Sequence, residues 1–146
     1  MTDAHHRALE TMYLNAPCND VYDPTIAIDS GIAEITMQAG PAFHHAAHAV
    51  HGSVYFKLLD DAAFFAANSI VEDVFVLTAS FSIELLRPVA AGTLRAVGEL
   101  HKPGRQILFA HATLWGPDGE ELARGSGTFA RSGLLLNDEV GYLKEG

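Results

Sequence analysis

Residues His51 to Ser69, HGSVYFKLLDDAAFFAANS, constrain the fold more than any other stretch of the chain. The run opens on the small residues Gly52 and Ser53 and is then apolar on almost every side, broken only by Lys57, Asp60 and Asp61. A helix this apolar all round has to be enclosed by protein. It is also well short of a continuous membrane-spanning stretch, so no membrane role is expected. The remainder of the chain must therefore supply a cover. Two carboxylates in an enclosed helix carry a desolvation cost unless they have a partner or a task. Asp60 and Asp61 are accordingly where chemistry is to be sought first.

The flanking segments read as that cover. Leu9, Met12 and Tyr13 recur at helical spacing between Asp3 and Asn15, with Asp3 as cap and Pro17 as stop, which predicts a short surface helix within residues 1–17. Thr25 to Asp29 and Gly31 to Met37 form a hairpin pattern around Ser30 and Gly31. After Glu72 and Asp73 the period becomes two: Phe81, Ile83 and Leu85 alternate with Ser80, Ser82 and Glu84 until Arg87 and Pro88 end the strand. Thr93 to Leu100, Gln106 to Trp115 and Glu121 to Ala130 are three further strands, and their short links favour an antiparallel meander. The tail from Gly133 to Gly146 is left either mobile or packed on a partner. The expectation is one α+β domain over residues 1–146, an antiparallel sheet wrapped around a long central helix, with the N-terminal helix outside. Such a sheet keeps exposed edges, which edge-to-edge pairing in a dimer would cover.

Composition narrows the partners. A net charge of -9 offers no concentrated basic surface, so nucleic acid is not an expected ligand. The one cysteine, Cys18, cannot close an internal disulfide, and is expected to be an inert, partly buried thiol in a reducing compartment. The N-terminal residues lack the basic start and apolar core of a signal peptide, so a cytoplasmic location is expected.

With HGS and LLDDAAFFAANS opening the helix and LLRP closing the next strand, the chain resembles the hotdog-fold acyl-CoA thioesterases of the phenylacetate-pathway type over residues 42–131. The resemblance implies the hotdog fold, an acyl-CoA substrate, no cofactor, and a homodimer or homotetramer with shared sites. It implies that His51 and Gly52 receive the thioester end of the substrate at the helix start, with Ser53 in place of the commoner second glycine. It implies that Asp60 drives attack on the thioester and that Thr78 stands where a hydroxyl from the partner subunit assists. Arg87 and Pro88 match the strand-end signature. The family's Asn or Gln before the His is missing, and His45 stands near its position.

The residue types agree with thioester chemistry. Hydrolysis needs a group that activates water or attacks the carbonyl, plus donors for the developing oxyanion. Free N–H groups at a helix start supply such donors, and Gly52 lets a substrate approach the backbone, although it also fits an ordinary turn. Asp60 lies almost two turns beyond Ser53 and projects from nearly the same side, as general base or nucleophile. Its alternative is a polar side chain in a wet dimer interface. Asp61 can pair with Lys57 four residues earlier and is the structural acid. His44, His48 and His51 have helical-face spacing, but no acid or cysteine completes a ligand set, so no metal is expected. His51 is instead expected to orient its loop through hydrogen bonds, and His111 to be a satisfied structural residue. Phe56, Phe64 and Phe65 read as core by default, one or two of them, Phe56 and Phe64 first, being candidates to line the acyl site, and Arg87 and Arg105 are candidates to grip CoA phosphates, with Lys102 a weaker third. The competing functions are a hydratase or dehydratase on the same fold and a non-catalytic acyl-CoA binder or sensor.

Overall fold

The computed structural model describes residues 2–144, so the last two residues of the expected tail lie outside it. In chain order it contains helix α1 (Thr2–Leu14), a single turn α2 (Asn19–Tyr22), strands β1 (Thr25–Asp29) and β2 (Ile32–Ala39), helix α3 (Gly52–Asn68), and strands β3 (Val74–Leu85), β4 (Gly92–Lys102), β5 (Ile107–Trp115) and β6 (Glu121–Leu135). Short 3-10 turns at Pro41–Phe43 and Asp138–Val140 complete it. No helix among the described residues is long and apolar enough to cross a membrane.

The six strands form one sheet in the order β1-β2-β4-β5-β6-β3, every pairing antiparallel. The expected hairpin is β1-β2 and the expected meander is β4-β5-β6. Strand β3 does not sit beside β4. It crosses to the far edge and pairs β6 from Val74 opposite Leu135 to Leu85 opposite Ala123, with Ala79 bulged between Thr78 and Ser80. One long side of β3 is thereby left as a sheet edge.

Helix α3 is held in the concave face of this sheet. Leu58, Leu59, Ala62 and Ala63 are fully buried, against Leu94, Ala96, Leu108 and Leu114 from the strands. Gly98 of β4 lies directly under Ala62, and a Cβ there would overlap the Ala62 carbonyl. Absence of a side chain at this one place lets the helix settle onto the sheet.

The N-terminal helix is more than a surface element. Its stripe of Ala8, Leu9, Met12 and Tyr13 is buried, and so are His5 and His6. The Nε2 atoms of the two histidines donate to the carbonyls of Asn68 and Ser69 at 2.9 and 3.2 Å, closing the C-terminal end of α3, where helix carbonyls lack intrahelical partners. The tail packs on its own chain. Strand β6 continues to Leu135, and buried Tyr142 donates its hydroxyl proton to His5 Nδ1 at 2.6 Å. Cys18 is exposed rather than partly buried, because it follows the end of α1 and lies off its apolar stripe.

Candidate active site

Asp60 and Asp61 part company as soon as their neighbours are considered. Asp61 Oδ2 accepts from Lys57 Nζ and from the Tyr13 hydroxyl, both at 2.7 Å. Lys57 also lies over the rings of Tyr22 and Tyr13, 4.9 and 5.4 Å from their centroids. This acid is neutralised and locked, as its spacing from Lys57 predicts. Asp60, one residue earlier and turned about 100° around the helix, has a single neutral donor, Thr78 Oγ1, at 2.9 Å. Burial pushes the Asp60 carboxyl up to about 6, the Asp61 charge adds to the rise, and the Thr78 hydrogen bond and Lys57 hold it back. A carboxylate made more basic in this way is poised to take a proton near neutral pH.

The hydroxyl that meets Asp60 comes from the same chain. Thr78 faces α3 from β3, and the bulge at Ala79 follows it immediately, where strand geometry can re-aim a side chain. Together Asp60 and Thr78 stand at the side of a cavity of about 260 Å³ between α3, β3 and α1. Phe64, Phe65, Phe75, Leu77 and Met12 make most of its wall apolar, and Tyr13 closes it from α1. Phe64 thus lines the cavity as expected. Phe56 does not: it is 40% exposed on the outer side of α3 and meets the Phe81 ring edge-on at 5.6 Å.

The helix start forms a second, separate cavity. Its volume is about 490 Å³, and His45, His51, Gly52, Tyr55, Leu85 and Arg87 line it. His51 is the N-cap of α3: its Nδ1 accepts from Ser53 N–H at 3.0 Å and lies 2.8 Å from Ser53 Oγ. Val54 N–H is taken by the His51 carbonyl. Among the described residues the Gly52 N–H has no partner, which leaves it as the open donor at the positive end of the helix. A Cβ on Gly52 would stand 3.1 Å from Leu85 Cδ1, so this position is also close-packed. His45 reaches the same cavity, its ring 6.3 Å from that of His51. The Tyr55 hydroxyl donates to the Arg87 carbonyl at 2.9 Å and fixes the strand end beside it.

A helix that makes its own first donor available at one cavity and carries an elevated acid at another matches a known family over the same segment. The model of the thioesterase superfamily matches residues 47–123, which hold α3, β3, β4 and β5. The chain belongs to the thioesterase superfamily. The PaaI protein of the E. coli phenylacetic acid degradation operon superposes with a TM-score of 0.80 at 26% identity, over 90% of this chain and 98% of that one. A thioesterase family protein from Silicibacter pomeroyi gives 0.81 at 26% identity over the same shares. A phenylacetic acid degradation-related protein from Ralstonia eutropha gives 0.74 at 25% identity, over 84% and 98%. No curated protein matches the chain. The fold is the hotdog fold of PaaI-like thioesterases.

For a thioesterase of this superfamily the remaining histidines read simply. His44, His48 and His51 do not share a helix face, because the segment is a 3-10 turn followed by a loop in which His48 takes φ 65 and His44 Nε2 lies 2.7 Å from the Ala90 carbonyl. No group of three or more ligating side chains is arranged to hold a metal among the described residues. Among the described residues the His111 ring has no hydrogen-bond partner, so it is not the satisfied residue expected. It stands on the outer sheet face beside His101, ring centroids 6.1 Å apart, because β5 alternates and its even-numbered residues take the core side. Arg105, in the β4–β5 turn, is far from Arg87: the Arg87 N–H bonds the Leu122 carbonyl and the Arg131 N–H bonds the Gln106 carbonyl, at opposite ends of β6. Phe65 lines the cavity beside Phe64, whereas Tyr13, Phe75 and Leu77 were not legible as cavity residues, since each reads locally as ordinary core or strand. Only the apolar stripe that includes Tyr13 was visible.

Proposed function

We propose that the chain hydrolyses an acyl-CoA thioester to the free acid and CoA, in a site that two copies of the chain complete. What carries this reading is the elevated carboxyl of Asp60, bonded to Thr78 at the mouth of an apolar cavity. The acyl group enters that cavity past Phe64, and its carbonyl carbon stays beside Asp60. A water oxygen attacks the carbonyl carbon while Asp60 takes its proton, and the tetrahedral intermediate expels the CoA thiolate, which recovers a proton. In the nucleophilic variant Asp60 itself attacks the carbonyl carbon, the C–S bond breaks and the CoA thiolate leaves to take up a proton, and water then cleaves the resulting anhydride to release the acid and regenerate Asp60.

The oxyanion needs a donor that one chain does not bring to Asp60. Gly52 is eight residues away on the same helix, about 12 Å along its axis. A two-fold axis solves this. If Asp60 of one protomer is to meet Gly52 of the partner subunit, the midpoint of α3 lies at Phe56, its exposed aromatic residue. Phe56 touches Phe81, Asp60 touches Thr78, and Gly52 abuts Leu85, so the same axis centres an antiparallel β3 pairing near Phe81. Joining the two β3 edges removes the open side of the sheet. Each site then takes its acid and acyl cavity from one subunit and its helix-start cavity, with His45 and Arg87, from the other.

The test is thiol release from acyl-CoAs of varied chain length and aryl character. Wild-type protein should release thiol, and Asp60→Asn should lose at least about a hundredfold in kcat, the scale of a missing general base. Unchanged turnover in Asp60→Asn would overturn the assignment. Consumption of an unsaturated acyl-CoA without thiol release would favour a hydratase, and tight binding without turnover a sensor.

A further inference from the structure

We propose that Asp61 is a positioning residue of the site: with the rings of Tyr13 and Tyr22 it holds the Lys57 ammonium away from Asp60, so that Asp60 keeps only the neutral Thr78 hydroxyl as partner and stays free to take a proton. This role rests on the reading of Asp60 as the base given above. Helix geometry leaves a choice open. Lys57 stands three residues before Asp60 and four before Asp61, and both spacings bring side chains together on a helix. Within α3 alone either acid could take the ammonium. In the folded chain Asp61 has it, at 2.7 Å, and among the described residues Asp60 is bonded only to Thr78.

What decides is brought from outside the helix. The Tyr13 hydroxyl of α1 donates to the same Asp61 Oδ2 at 2.7 Å, and burial, with the Asp61 charge, pushes Tyr13 up so far that this donor keeps its proton. The two rings that Lys57 lies over are themselves held. Tyr22 stacks on Phe43 with centroids 5.6 Å apart, and Tyr13 meets Phe65 edge-on at 5.0 Å. Ring faces attract a cation most when it is withdrawn from water, and the Lys57 and Asp61 side chains are only 15% and 19% exposed. Ammonium, carboxylate and rings thus form one cage, and α1 and α2 build half of it. An ammonium bonded to Asp60 instead would favour its ionised form and make it a poor proton acceptor. Asp61 opposes this twice, because it occupies the ammonium and because its own charge disfavours ionisation of Asp60. The other titratable groups of this cavity are Tyr13 and Cys18, and the β3 wall of Phe75, Leu77 and Thr78 adds none. The helix-start cavity of the partner subunit adds His45, His51 and Arg87 in the proposed dimer, and none of the variants below alters them.

Carbon-13 NMR titration of the Asp60 carboxyl, alongside the pH profile of thiol release from acyl-CoAs, tests the cage. Asp61→Asn releases Lys57, so the Asp60 titration and the acid limb of the profile should both move at least about one unit to lower pH, and plateau kcat should fall about tenfold. Lys57→Met should move both to higher pH. Lys57→Met combined with Asp61→Asn leaves no ammonium to capture Asp60, so the double variant should recover most of the lost kcat, whereas damage to a merely structural pair would leave it no faster than Asp61→Asn alone. An Asp60 titration that Asp61→Asn leaves in place, shifts of the same sign in the two single variants, or a double variant without recovery would overturn the positioning role. Should Asp61→Asn fail to fold, the sign of the Lys57→Met shift decides. Opposite shifts in the NMR titration with no thiol release from any acyl-CoA would leave the cage standing and sink the hydrolase instead.

Discussion

At the level of single residues the decisive contrast is between neighbouring acids. Asp61 is satisfied by Lys57 and Tyr13, whereas Asp60 has only the Thr78 hydroxyl and lies in a partly desolvated position. Because the Asp60 pKa is raised in the folded chain from 3.8 to about 6, the native state binds that proton more tightly than the unfolded state does. Its stabilising contribution is present below pH 3.8 and is lost as pH rises through about 6. Asp60→Asn should therefore stabilise the fold at pH 7, by on the order of 1 kcal/mol once solvent screening is allowed for, as urea unfolding will report. Activity should run the other way: kcat/KM climbs as pH rises through about 6 and then levels, since the ionised form is the proposed base. Thr78→Val removes the hydrogen bond that lowers the Asp60 pKa, so the acid limb of that profile should move to higher pH.

The elements explain why these residues stand where they do. The resemblance in the HGS and LLDD segments pointed to Asp60, Thr78, Gly52 and His51, and the structure places Thr78 on Asp60 and His51 on the helix cap. What periodicity could not supply was the route of β3 to the outer edge beyond β6, because strand order depends on contacts distant in sequence. The depth of α1 was equally hidden, since two consecutive histidines in a surface-like helix give no local sign that they close the end of α3. Burial lowers the His5 pKa, so the native state binds that proton less tightly than the unfolded chain. Stability should fall as pH drops below about 6.5, and a His5→Gln variant should lose that slope in thermal melts. Gly98→Val should be far more damaging. It drives a side chain into the Ala62 backbone and should cost about 3 kcal/mol or prevent folding, measured by denaturant midpoint.

For the molecule as a whole, the open β3 edge, the exposed Phe56 and the division of Asp60 and Gly52 between two cavities are the features that the proposed second copy would answer. Phe56→Arg places a charge on the proposed axis. It should convert the protein to monomer by analytical ultracentrifugation and lower turnover at least about a hundredfold, although Asp60 and Thr78 are untouched. The amino-acid order was enough to specify an enclosed helix, a sheet to cover it and the few polar residues out of place on that helix, because periodicity and desolvation cost are local properties. Which acid is quenched, which wall closes the cavity beside Asp60, and that Arg87 and Arg105 stand at opposite ends of one subunit were settled only when the chain closed on itself. Those are matters of distance between residues far apart in sequence, and a pattern of neighbours holds no record of them.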